Sequence, residues 1–196
     1  MKQLFLFFLI LFTCELFARQ IEETTFSYWD KPDARIFYSI PDSINANTKI
    51  IFIMHGASRR AKQYLNDWLP MVNNRNVVLI APEFSEEFYP EYIYLMMSTQ
   101  KGKLLKNESL YLTDSLGLLF DYFKAKLKLS TTSFRLYGHS GGSQFVNRYL
   151  LLSNETRVEK AAMANAGFYT FADDRISYPF GIKNLNISNE RLEWFL

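Results

Sequence analysis

The sequence is short of cysteine, of histidine and of net charge, and each shortage removes a class of function. Cys14 is the one cysteine among 196 residues, so no internal disulfide forms. With only two histidines beside it, His55 and His139, there is no cluster of soft ligands at zinc spacing, and neither a metal nor another cofactor is expected. Lys and Arg number 22 against 20 Asp and Glu, a net charge of +2, which leaves no basic footprint for nucleic acid or for an acidic membrane surface. Repeats, low-complexity tracts and long polar linkers are also missing. The longest greasy run, residues 4 to 12, is about half of the roughly twenty residues a membrane span needs, and Glu15 interrupts the chain just beyond it, so no stable membrane anchor is expected.

What remains fits one globular domain, with 48% hydrophobic and 21% charged residues. The charged start Met1-Lys2, the short apolar core and the small residue Ala18 read as a secretory signal over residues 1 to 18, cut after Ala18. The expected location is therefore secreted or periplasmic, and the domain occupies 19 to 196. Removal of the signal also removes the only cysteine, which suits export without dependence on oxidation.

Along that domain, strand and helix patterns alternate. Residues 34 to 40 read as an early strand closed by Pro41, and residues 49 to 54 (KIIFIM) as a strand buried on both faces of a parallel sheet. Ala61, Tyr64, Leu65, Trp68 and Leu69 fall at helical spacing. Residues 76 to 81 form a second buried run, stopped by Pro82. From Leu112 to Leu127 the apolar side chains make one helical stripe. A short strand at 134 to 137, a helix marked by Phe145, Val146, Tyr149 and Leu150, and a small-residue strand at 160 to 166 complete the pattern. This order predicts an α/β fold: a doubly wound, mostly parallel sheet with helices on both faces.

The turn Gly138-His139-Ser140-Gly141-Gly142 joins the strand at 134 to 137 to the next helix, and it matches the G-x-S-x-G pattern of a nucleophile elbow. Glycines are needed there because a side chain at either flank would collide with the neighbouring strand or helix. Ser140 is thus the candidate nucleophile, and its flanking turn is supported by Gly138, His139 and Gly142. Acyl transfer also needs two N–H groups aimed at the developing oxyanion. Gly141, at the helix N-terminus, supplies one. The loop His55-Gly56-Ala57-Ser58, which ends the buried strand, supplies the second through Ala57, with Ser58 as the alternate and His55 and Gly56 as support.

These pieces resemble the α/β-hydrolase superfamily, and more narrowly the secreted serine esterases related to polyhydroxybutyrate depolymerases and feruloyl esterases. The resemblance is carried by HGASRRAKQY at 55 to 64, Trp68, APEF at 81 to 84, YGHSGGSQFVNRYLL at 137 to 151 and ANAGFYTFADD at 164 to 174. It implies an α/β-hydrolase fold with Ser140 as nucleophile, an oxyanion hole from Gly141 and the loop after Gly56, and a small-molecule or polymeric ester as substrate.

One part of the family pattern is not met. The triad runs Ser, then Asp or Glu, then His in chain order, yet both histidines precede Ser140. His139 is a neighbour on the elbow, where side chains diverge, and His55 in this family braces the oxyanion loop. Asp173 and Asp174 are the nearest candidate acids, although a solvated loop is the favoured account of them, because an acid without a base has nothing to orient. The leading expectation is accordingly the N-terminal portion of a serine hydrolase, truncated after about the sixth strand by a premature stop, frameshift or incomplete gene model, and very weak or inactive as written. A non-catalytic binding module with the same pocket and a peptidase of the same fold are the alternatives. A sheet left without its last strands exposes an edge, so self-association through it is expected.

Overall fold

A computed structural model describes residues 19–196; the signal assigned to residues 1 to 18 lies outside the described residues. Six strands build a single sheet: β1 (Glu22–Phe26), β2 (Ala34–Ser39), β3 (Lys49–Met54), β4 (Val77–Glu83), β5 (Phe134–His139) and β6 (Val158–Ala164), in the spatial order β1-β2-β4-β3-β5-β6. The ladder is parallel from β4 through β3 and β5 to β6 and antiparallel where β2 meets β1 and β4. Four helices accompany it: α1 (Ala61–Val72), α2 (Ser115–Lys126), α3 (Gly141–Leu152) and α4 (Asn189–Phe195).

Both faces of the central strands are covered, which is why β3 and β4 read as unbroken apolar runs. Along β4 the side chains alternate between two cores. Val78 and Ile80 join Leu116, Phe120, Phe145 and Tyr149 beneath α2 and α3, while Val77, Leu79 and Ala81 join Ala61, Leu65 and Val72 beneath α1. The expected fold of a mostly parallel sheet with helices on both faces is the one observed.

Several boundaries differ from the sequence expectation, two of them for a visible tertiary reason. β4 does not stop at Pro82 but runs through it to Glu83, because Ile36 of antiparallel β2 pairs with Pro82 while the parallel pairing to β3 ends at Ile80; on that side no ladder bond is asked of the missing N–H. α2 begins at Ser115, not Leu112, because Leu112–Asp114 forms a 3-10 turn whose Leu112 carbonyl accepts from Ser115 Oγ at 2.6 Å. β6 covers Val158–Ala164, two residues earlier than the run at 160 to 166. β1 carried no sequence signal: its residues EETTF are mostly exposed, as suits an outer strand. At the opposite edge β6 has β5 on one side only, and five of its seven residues are exposed.

Candidate active site

At the carboxyl end of β5 the chain must reverse into α3 within one residue. Ser140 makes that turn at φ 55° and ψ −120°, a region that a non-glycine residue occupies only under constraint. The constraint is visible on every side. Ser140 N–H donates to the carbonyl of Ala164 at the end of β6, 2.9 Å away, and the Ser140 carbonyl accepts from Ser143 N and Gln144 N to start α3. A methyl group on Gly138 would lie 2.2 Å from the Gly142 carbonyl oxygen, and one on Gly142 would lie 2.1 Å from the Met54 carbonyl oxygen, so only glycine fits at either flank. The Ser140 side chain stays half-buried, open to the surface rather than sunk among packed groups.

The loop after β3 comes to the same spot. A methyl group on Gly141 would stand 3.0 Å from the Ala57 nitrogen, and one on Gly56 would stand 3.5 Å from Ser140 Cβ. The Gly141 and Ala57 amides are therefore neighbours beside Ser140, and among the described residues neither has a hydrogen-bond acceptor. Two free N–H groups next to a strained, accessible hydroxyl are the parts an acyl-transfer site requires.

His55 is fixed by backbone at both nitrogens. Phe84 N–H donates to Nε2 at 3.1 Å, which leaves the ring proton on Nδ1 to donate to the Gly56 carbonyl at 2.9 Å. Wholly buried, the ring is pushed down to about 4 by desolvation and stays neutral. Tyr92 stacks on it and donates its hydroxyl to the His55 carbonyl at 2.8 Å. The ring holds the oxyanion loop against the residues after β4 and has no nitrogen left to take a proton from Ser140.

His139 is likewise engaged away from the serine. Its Nδ1 lies 3.1 Å from Tyr64 Oη, and its Nε2 lies 3.2 Å from Asn165 Nδ2. Both imidazoles are thus engaged by neighbours other than Ser140. Of the candidate acids, Asp173 is tied to Arg175 by two side-chain bonds of 2.9 and 2.6 Å, and that partner lowers its carboxyl to about 2. The solvated-loop reading is the one the geometry favours, and Asp174 is exposed beside it.

Several residues at the site carried no sequence signal because their roles come from contacts made across the fold. Arg59, at φ 59°, folds back and donates to the carbonyls of Phe84, Tyr89 and Pro90 while lying 4.8 Å over the Tyr92 ring. Arg60 is exposed. Among the aromatics, Tyr89, Tyr92 and Tyr94 are core, whereas Tyr169 and Phe171 face solvent. Tyr64 and Ile93 reach the elbow, Tyr64 through His139 and Ile93 through Gly141. A cleft of about 600 Å³ lies at the start of α1, lined by Arg35, Arg60, Lys62 and Glu83 among others, and neither Ser140 nor residues 55 to 58 form part of its wall. No group of three or more His, Cys, Asp or Glu able to hold a metal ion occurs among the described residues.

An open, mostly parallel sheet with a glycine-flanked serine on the strand-to-helix turn and the loop after β3 beside it defines an α/β-hydrolase fold. No family model matches the chain, and no curated protein does. Solved structures do. Poly(aspartic acid) hydrolase-1 from Sphingomonas sp. KT-1 superposes with a TM-score of 0.81 at 29% identity over 90% of this chain and 67% of its own. The poly(3-hydroxybutyrate) depolymerase LpqC from Bordetella parapertussis gives 0.78 at 20% identity over 90% of this chain and 63% of its own. An acetyl xylan esterase from Aspergillus awamori gives 0.60 at 12% identity over 87% of this chain and 57% of its own. The chain has the fold of the α/β-hydrolase esterases and spans about two thirds of the length of the first two.

Proposed function

We propose that this chain is the nucleophile-bearing part of a serine hydrolase acting on carboxylic esters. Ser140 Oγ attacks the acyl carbonyl, the Gly141 and Ala57 amides receive the oxyanion, the acyl–oxygen bond of the ester breaks as the serine proton passes to the departing alcohol, and water then cleaves the acyl-serine to free the acid. One observation carries the reading: a half-exposed serine held at φ 55° within reach of two unpaired amides. The names of the similar structures support an acyl-bearing substrate, small or polymeric, since they are a poly(aspartic acid) hydrolase, a poly(3-hydroxybutyrate) depolymerase and an acetyl xylan esterase.

The base is the missing part. With His55 and His139 both engaged, the described residues retain only oxyanion-hole and binding catalysis, about 10³ to 10⁴ over water. A polypeptide pairing with the open edge of β6 would bring the acid and imidazole, and a second copy of the chain pairing there would give self-association instead. Export fits the start of the fold: Arg19, the residue after the cut, sends its guanidinium to the carbonyls of Ser39, Ile40, Val72 and Val77. N-terminal sequencing of the product recovered outside the cytoplasm is expected to begin at Arg19.

A fluorophosphonate probe tests the nucleophile. Labelling that is lost in Ser140→Ala supports acyl transfer. Labelling that survives that substitution, or none after prolonged exposure, removes it and leaves the second reading, a binding module of the same shape. The engagement of both histidines favours that alternative, which requires saturable ester binding without turnover.

A further inference from the structure

We infer that Ile93 is the wall of the acyl site and sets the size of the group accepted beside the oxyanion amides, with Arg148 as the residue that positions it. This rests on the function proposed above and adds a specificity determinant to the same site. Ile93 lies in a 3-10 turn, Tyr92–Tyr94, in the long connection from β4 to α2. Its Cδ1 comes within 2.9 Å, and its Cγ1 within 3.2 Å, of where a methyl group on Gly141 would stand, the same point that is 3.0 Å from the Ala57 nitrogen. The side chain is half-buried, so one part packs against Gly141 and another stays open to solvent.

The turn is held from two directions. Arg59 grips the connection at three carbonyls ahead of it, and Tyr92 anchors it to the His55 carbonyl. From behind, Arg148 of α3 donates Nη1 to the Ile93 carbonyl at 2.7 Å. Arg148 is 0% exposed, and its guanidinium lies between the rings of Tyr94 and Phe168 at 4.8 and 5.0 Å. Its Nε and Nη2 find no partner, and no carboxylate faces it among the described residues. A buried cation of this kind is costly for the fold and is poorly explained by stability alone. Its one polar contact is the carbonyl of the residue that leans on Gly141, two helical turns away along α3. An aliphatic wall so placed excludes water from one flank of the oxyanion and limits the bulk that fits there, since a few methylene groups at a fitted wall change selectivity by an order of magnitude or more.

The test reads the pocket without relying on catalysis. In a Cys14→Ser, Ser140→Cys background the only thiol stands at the elbow, and methyl and benzyl methanethiosulfonates report access to it. Ile93→Ala is expected to raise the benzyl-to-methyl rate ratio roughly tenfold or more, and Leu118→Ala, on the exposed side of α2, to leave it unchanged. Arg148→Met is expected to shift the ratio in the same direction, while Arg191→Met, another buried arginine lost, is not. Ile93→Ala carries the test alone if Arg148→Met lowers the folded yield. An unchanged ratio in Ile93→Ala overturns the inference even where Ser140 labels with fluorophosphonate. A raised ratio in a protein whose Ser140 never labels keeps the wall and discards the hydrolase.

Discussion

β4 and β6 are both seven-residue strands of the same sheet, and they live in different environments. β4 is paired on both sides, covered on both faces and buried at six positions; β6 is paired on one side and exposed at five. The composition follows the environment: VVLIAPE is apolar almost throughout, whereas VEKAAMA mixes small and charged residues. The interior of this domain thus closes around β3, β4 and β5, which carry the serine and the oxyanion loop, while β6 contributes little burial of its own. Its fixed point is the Ala164 carbonyl, which accepts the Ser140 N–H.

This contrast is sharpened most by core truncation. Phe52→Ala on β3 removes a ring that is wholly buried and packs edge-on against Phe134, and it is expected to cost about 3 to 5 kcal/mol in urea unfolding. Met163→Ala on β6, at a residue 38% exposed, is expected to cost less than about 0.5 kcal/mol. Equal losses at the two sites would break the comparison.

Next in size is the pH response of the oxyanion loop. Burial lowers His55 from 6.5 in the unfolded chain to about 4 in the fold, so the unfolded state binds more protons between those values. The contribution is whole above about pH 6.5 and is lost as pH falls through about 4, on the order of 3 kcal/mol across the window. Thermal melts from pH 7 to 4 are expected to show this decline in the native protein and a flatter one in His55→Gln.

Arg191 offers a smaller effect outside the sheet. It ties α4 to the end of α3 by donating to the carbonyls of Glu155, Tyr149 and Leu150 and to Ser153 Oγ. Arg191→Ala removes the side-chain donor from the Glu155 and Leu150 carbonyls, while Tyr149 O and Ser153 Oγ keep Ser153 N–H and Glu155 N–H, and it is expected to cost about 1 to 3 kcal/mol, measured by urea unfolding. The smallest expected effect is on association: Ala162→Lys, a charge on the open edge, is expected to lower the dimer fraction seen by sedimentation without shifting the melting temperature. A dimer fraction that ignores the substitution moves self-association away from β6.

Legibility in the sequence followed locality. The elbow at 138 to 142 was readable because the steric demand on Gly138 and Gly142 comes from atoms a few residues away or from the strand end at Met54 and His55. β3 and β4 were readable because burial on both faces leaves an unbroken apolar run. The extension of β4 through Pro82 was hidden, since it depends on which neighbour pairs there, and so was β1, whose polar side chains face solvent. Arg59 and Arg148 look in sequence like any surface cations; their burial depends on a turn contributed by a distant connection.

Local pattern in the chain was enough to settle the alternation of elements, the two-faced burial of the central strands and the position of the serine turn, because hydrophobic period and glycine sterics act over a few residues. The folded arrangement alone decided that both imidazoles are spent on neighbours, that Ile93 lies against Gly141 and that β6 is paired on one side only. Those outcomes depend on hydrogen-bond partners and packing distances between residues far apart in the chain, which no local pattern encodes.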